Sequence, residues 1–202
     1  GLPRRVRTVD RVVSQRSAWY IEPMSTAQHL HYTYAEYLAA LAVSEIRLEC
    51  LGGEIFAMAG GSPEHGMIAA RMIQVLGEKL PKGCKVLTSD VKVRVVATGL
   101  STFPDISVVC GDLERASDDA NAITNPALLV EVLNPSTEDY DQGEKLRHYQ
   151  QIPSLEAVVF VSQSERMVSV VRRTPSGWLR AEHRDAFELE HTGTIAVTEL
   201  YP

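Results

Sequence analysis

Residues 127–133, ALLVEVL, form a near-continuous apolar run with one carboxylate, Glu131, set inside it. A run of this length reads as a buried strand. Side chains alternate along a strand, so Leu129, Glu131 and Leu133 share one face. An ionised carboxylate in such company is unfavourable by several kcal/mol unless it is paired or metal-bound. Whatever this chain folds into, it must bring a partner to Glu131.

Two flanking segments offer partners. In PDISVVC, residues 104–110, Asp105 opens a strand directly after Pro104 and shares a face with Ser107 and Val109. The polar segment TEDYDQGEKLRHYQQI, residues 137–152, reads as a helix with Asp141, Lys145 and Tyr149 at i, i+4 and i+8. Two acids and a lysine suit phosphodiester hydrolysis assisted by Mg²⁺ or Mn²⁺. Such a cation takes hard oxygen ligands, polarises the phosphoryl group and lowers the pKa of a bound water, while the lysine orients that water or stabilises developing charge. Simpler readings stand beside this one. Glu131 can reach solvent near a strand end or pair with a basic residue of the next helix, and Lys145 can serve only as the i, i+4 partner of Asp141.

The rest of the chain supplies a scaffold. Residues 1–30 show no sustained periodicity and read as an N-terminal tail; residues 31–202 read as one domain, an ordinary size for a single core. YTYAEYLAALA suggests a short helix capped by Thr33, and IRLECLGGEIFAMAG a hairpin turned at Gly52-Gly53. Ser62 at the N-cap and Pro63 at the first position open a helix whose stripe is Ile68, Met72, Val75 and Leu80. Strands follow in KVLTSDVKVRVVA, FPDISVVC, ALLVEVL and, after the polar helix, LEAVVFVS; RMVSVVRR and GWLRAEHRD read as a hairpin, and GTIAVTELY as a last strand.

The three cysteines, Cys50, Cys84 and Cys110, lack C-x-x-C spacing and are expected to be reduced packing residues. Net charge is −6, yet Arg4, Arg5, Arg7, Arg11 and Arg16 face only Asp10 in the first sixteen residues, so the body is more acidic still. That disfavours a broad polyanion-binding surface but not an enzyme whose carboxylates hold a divalent metal. No run approaches the ~18 apolar residues of a membrane span, and no leader pattern opens the chain; a cytoplasmic location without membrane attachment is expected.

RLECLGGEIFAMAGGSPEH, TSDVKVRV, TFPDISVVCG, LLVEVLNPSTEDYDQGEKLRHYQQIPSL and the terminal ELY together resemble the PD-(D/E)XK nuclease superfamily, in its putative restriction endonuclease branch. The resemblance implies an α/β fold: a restriction-endonuclease-like core with a central mixed β-sheet flanked by helices, an N-terminal helix and hairpin, and a C-terminal β-rich extension. It implies that Asp105 and Glu131 are metal ligands, that Glu54 is the supporting acid and that His65 lies near the site, with Asp90 a further metal-ligand candidate. The sequence departs from the superfamily at position 133, where its E-x-K pattern wants lysine and this chain has Leu133. Lys145 is the natural replacement and Lys92 the competing one. Gly52 and Asn134 also differ from the branch, where an acid and a serine are usual. The implied function is a divalent-metal-dependent nuclease (Mg²⁺ or Mn²⁺) acting on nucleic acid, with DNA the expected substrate and a homodimer the expected assembly. The rivals are a non-catalytic binding or assembly module on the same fold and a hydrolase of small phosphate esters.

Overall fold

The computed structural model describes residues 31–58, 60–135 and 137–201. The expected tail over residues 1–30 lies outside them.

Helix α1 (Tyr34–Val43) begins with a reciprocal capping box: the Thr33 hydroxyl accepts from the Glu36 N–H, and the Glu36 carboxylate accepts from the Thr33 N–H. The hairpin of β1 (Leu48–Leu51) and β2 (Glu54–Ala57) turns on Gly52 and Gly53, both at positive φ (57° and 86°), as a two-residue turn demands. Helix α2 (Pro63–Lys79) starts at Ser62, whose hydroxyl accepts the His65 N–H at 3.1 Å, and it buries Ile68, Met72, Val75 and Leu76.

The segment read from KVLTSDVKVRVVA divides at a turn, where the Val91 N–H reaches the Thr88 carbonyl at 3.0 Å. β3 (Cys84–Thr88) stays on one side of that turn and β4 (Lys92–Val95) on the other, in different sheets. Then come β5 (Leu100–Thr102), β6 (Ile106–Cys110), β7 (Arg115–Ala116), β8 (Asp119–Ile123) and β9 (Leu128–Leu133). Helix α3 (Glu138–Tyr140), a π-helical turn (Asp141–Lys145) and α4 (Leu146–Tyr149) run on as one helix. β10 (Ala157–Ser162), β11 (Val168–Thr174), β12 (Gly177–His183), β13 (Ala186–Leu189), β14 (Gly193–Ala196) and a 3₁₀ turn (Val197–Leu200) complete the chain.

The central mixed sheet has the order β12-β11-β10-β9-β6-β3, with β9 and β10 parallel and the other neighbours antiparallel. A second sheet, β2-β1-β5-β4-β8-β7, carries the N-terminal hairpin, and β13-β14 form the terminal ribbon. Alternation in β9 divides the core as the sequence pattern implies. Leu128, Val130 and Val132 pack with α2 and the terminal ribbon, whereas Leu129 and Leu133 pack with Leu146, Tyr149 and the second sheet. Glu131 shares the latter face, the one that α4 covers.

The cysteine expectation is corrected. Cys84 and Cys110 lie directly opposite each other in the antiparallel β3–β6 pair, with Cα atoms 3.9 Å apart, and form a disulfide; Cys50 is free and buried. The pairing depends on strand register across 26 residues, which cysteine spacing alone does not reveal.

Candidate active site

β9 carries Glu131 into the layer between the central sheet and the helix above it, and this is where its partners arrive. Ile106 pairs with Val130, so Asp105, one residue before β6, lies beside Glu131 across the strand pair. The π-helical turn supplies Lys145 and Asp141, β1 of the other sheet supplies Glu49, and the first turn of α2 supplies His65. All six line one cavity of about 260 Å³.

Lys145 Nζ stands 3.0 Å from Glu131 Oε1, 3.4 Å from Glu49 Oε1 and 3.5 Å from Asp141 Oδ1. Lys145 and Glu131 are nearly sealed from solvent, their side chains 5% and 7% exposed. The Tyr149 hydroxyl donates to Glu131 Oε1 at 2.6 Å, Thr137 donates to Asp141 at 2.9 Å, and Thr102 donates to Glu49. On the opposite wall, Asp105 Oδ2 meets His65 Nε2 at 3.1 Å and accepts the Val132 N–H at 2.7 Å.

Both carboxylates on the neighbouring strands are therefore held by one oxygen. Among the described residues, no hydrogen bond ends on Asp105 Oδ1 or Glu131 Oε2. Both residues line the same cavity.

Charge is unbalanced as well as buried. Glu49, Asp105, Glu131 and Asp141 share the cavity with one ammonium, one imidazole and the Arg47 guanidinium. Burial, opposed by Lys145 but reinforced by Asp141 and Asp105, pushes the Glu131 carboxyl up to about 8. Burial likewise raises Asp141 against the pull of Lys145. Burial works against the Lys145 ammonium, but Glu131 and Glu49 outweigh it and hold its pKa well above the ordinary lysine range. The hydrogen bond to Asp105 raises His65 despite its burial.

Carboxylate oxygens suit hard cations. Among the described residues, no three His, Cys, Asp or Glu side chains converge as a complete metal cage. Asp105 and Glu131 are the two carboxylates on adjacent strands that a hard divalent ion could use, since Mg²⁺ is commonly bound by one or two carboxylates with water in the remaining positions.

Of the residues the sequence singled out, Asp105, Glu131, Lys145 and His65 come together. Glu54 heads β2 opposite Leu51 and does not line the cavity; the acid that reaches Lys145 is Glu49. The sequence held a signal for it, since Glu49 interrupts apolar RLECL as Glu131 interrupts ALLVEVL. Asp90 lies at the β3–β4 turn, exposed and paired with Arg47. Lys92 is buried against Asp119 at 2.5 Å, and Tyr34 donates to the same carboxylate, so this lysine is engaged on the second sheet. Leu133 belongs to the apolar cluster, whereas Asn134 lines the cavity.

A family model described as Uma2, putative restriction endonuclease, matches residues 34–200. A Synechocystis sp. (strain ATCC 27184 / PCC 6803 / Kazusa) protein described as uncharacterized protein slr1290 is 36% identical over 171 residues, covering 82% of this chain and 89% of that one. Another from the same strain, uncharacterized protein sll1609, is 26% identical over 132 residues, covering 65% of this chain and 75% of its own. The crystal structure of a putative nuclease belonging to DUF820 from Anabaena variabilis ATCC 29413 superposes with a TM-score of 0.66 at 17% identity, over 82% of this chain and 95% of that chain. That last likeness is one of fold.

Proposed function

Starting from a chain that belongs to the Uma2 putative restriction endonuclease family, we propose that it hydrolyses phosphodiester bonds of DNA with a divalent cation, Mg²⁺ or Mn²⁺, held by Asp105 and Glu131. The observation that carries this reading is the pair of carboxylates on adjacent strands, each held in place by hydrogen bonds and both lining one cavity with Lys145.

Each residue then has a task. His65 and the Val132 N–H fix Asp105, and Tyr149 and Lys145 fix Glu131, so both carboxylates are positioned before substrate arrives. A bound cation would supply Lewis acidity toward a phosphoryl oxygen and acidify a water. Lys145, held cationic by its acids, stabilises negative charge as the new phosphorus–oxygen bond forms and the bond to the leaving oxygen breaks. Position 133 need not be lysine, because Lys145 brings its ammonium to Glu131 from the helix instead.

A cavity of about 260 Å³ has room for a phosphate group, with the rest of a polymeric substrate lying across its mouth.

The test is cleavage of supercoiled plasmid, single-stranded DNA and RNA by wild type and Asp105→Ala, in Mg²⁺ and in Mn²⁺. Wild type is expected to cut DNA only with metal, and Asp105→Ala to lose at least about a hundredfold in rate, as loss of a group that stabilises transition-state charge does. Equal rates, or two inert proteins, contradict the reading; inert protein that still binds DNA returns the non-catalytic module.

A further inference from the structure

A site with surplus negative charge must still admit a polyanion, and the cation that can do this stands at its rim. Arg47 directly precedes β1, two residues before Glu49, and both line the cavity with Asp105, Glu131 and Lys145. Lys145 is committed to three carboxylates and His65 to Asp105. Arg47 is placed differently. Its side chain is 42% exposed, one guanidinium nitrogen donates to Ser89 Oγ at 2.9 Å, another meets Asp90, and the group lies 5.9 Å from the Phe103 ring centre.

We propose that Arg47 is a phosphate-binding residue of the substrate groove, gripping the backbone beside the phosphate that enters the cavity, and that Asp90 is a positioning residue that holds Arg47 at the rim. The inference rests on the phosphodiester reading of the cavity. Ser89 and Asp90 engage two of the five N–H groups of the fork, so the planar guanidinium keeps donors for a phosphate, the geometry arginine binds bidentately. Asp90 is 77% exposed, so its attraction for Arg47 is screened by water and orients the cation without neutralising it as a buried partner would. This gives the acid of Thr88-Ser89-Asp90 a task away from the metal.

The experiment is fluorescence anisotropy with a labelled DNA duplex and full-length protein, with Ca²⁺ replacing Mn²⁺ so that binding is read without turnover, over a series of salt concentrations. Arg47→Ala is expected to weaken binding about tenfold and to lower the slope of log affinity against log salt by about one, the mark of one lost phosphate contact. Arg47→Lys keeps the charge and should restore the slope but not the full affinity. Asp90→Asn should weaken binding less than Arg47→Ala does. Unchanged affinity and slope in Arg47→Ala overturn the inference, as does a wild type that binds no DNA. Mn²⁺-dependent cleavage by wild type, run in parallel, reports on the nuclease reading alone: inactive wild type whose binding still depends on Arg47 overturns that reading and supports the inference.

Discussion

Lys145 carries one positive charge among Glu131, Glu49 and Asp141, so removing it leaves several buried acids without their cation. Lys145→Met should cost about 3–5 kcal/mol in urea unfolding, the range for breaking a buried ion pair from one side. Saturating Mn²⁺ should recover more stability in this variant than in wild type, because the cation then answers more unpaired charge; equal recovery would argue against a metal at these acids. A second residue-scale expectation concerns Gly61. A Cβ there would lie 3.0 Å from His65 Nδ1, so Gly61→Ala must push the ring and loosen its bond to Asp105. NMR titration of metal-free protein should then show the His65 pKa falling back toward the ordinary imidazole value. At this scale Asp105, Glu131 and Lys145 were legible as candidates, because two acids stood out at or within apolar strands and a lysine at helical spacing beside them, whereas His65 was pointed to only by the family resemblance. Glu49 was harder to separate from Glu54, since only folding shows which acid of the hairpin faces the helix.

The helix over Glu131 contains a widened turn. A π-helical turn takes one residue more than an α-turn, so it rotates the residues beyond it by ~100° relative to an uninterrupted α-helix. That turn runs from Asp141 to Lys145, and Lys145 at its end and Tyr149 in the next turn both reach Glu131 Oε1. Deleting Gly143 should restore regular α-helix, keep the circular dichroism of the fold and abolish Mn²⁺ binding measured by calorimetry. Retained binding would show that the turn is incidental. The sequence announced this helix by its polar spacing but not its π geometry, which leaves no mark in composition. Strand pairing was hidden for a related reason. The separation of β3 from β4 and the meeting of Cys84 with Cys110 are matters of register, set by contacts distant in sequence.

Across the whole molecule, the acid cluster should set how stability responds to pH. Glu131, Asp141 and His65 all have raised pKa values in the folded protein, so between the unfolded carboxylate range near 4.5 and about 8 the folded state binds more protons than the unfolded state. Stability must therefore fall as pH rises through that window. Lys145, raised well above 10.5, contributes evenly across it; Asp119, lowered by Lys92 and Tyr34 against its burial, loses its contribution only below 3.8; and His148, lowered by burial, opposes the trend below 6.5. In chelator, the melting temperature should decline from about pH 5 to about pH 8. Glu131→Gln should flatten that decline, and a decline of equal slope in the variant would contradict the assignment. The order of helices and strands and the β-rich C-terminus were readable from apolar runs and helix signals, whereas the mixed sheet flanked by helices was implied by the family resemblance. The second sheet was not, because its short strands from distant segments come together only by tertiary pairing. Among the described residues, no helix is long and apolar enough to cross a membrane.

The central claim is that Asp105 and Glu131 together hold a divalent cation, and Mn²⁺-soaked crystals measured at the manganese absorption edge test it most directly. The account predicts an anomalous peak within bonding distance of one oxygen from each carboxylate, lost in Asp105→Ala. A well-ordered site with no peak there, or manganese bound only elsewhere, would contradict it.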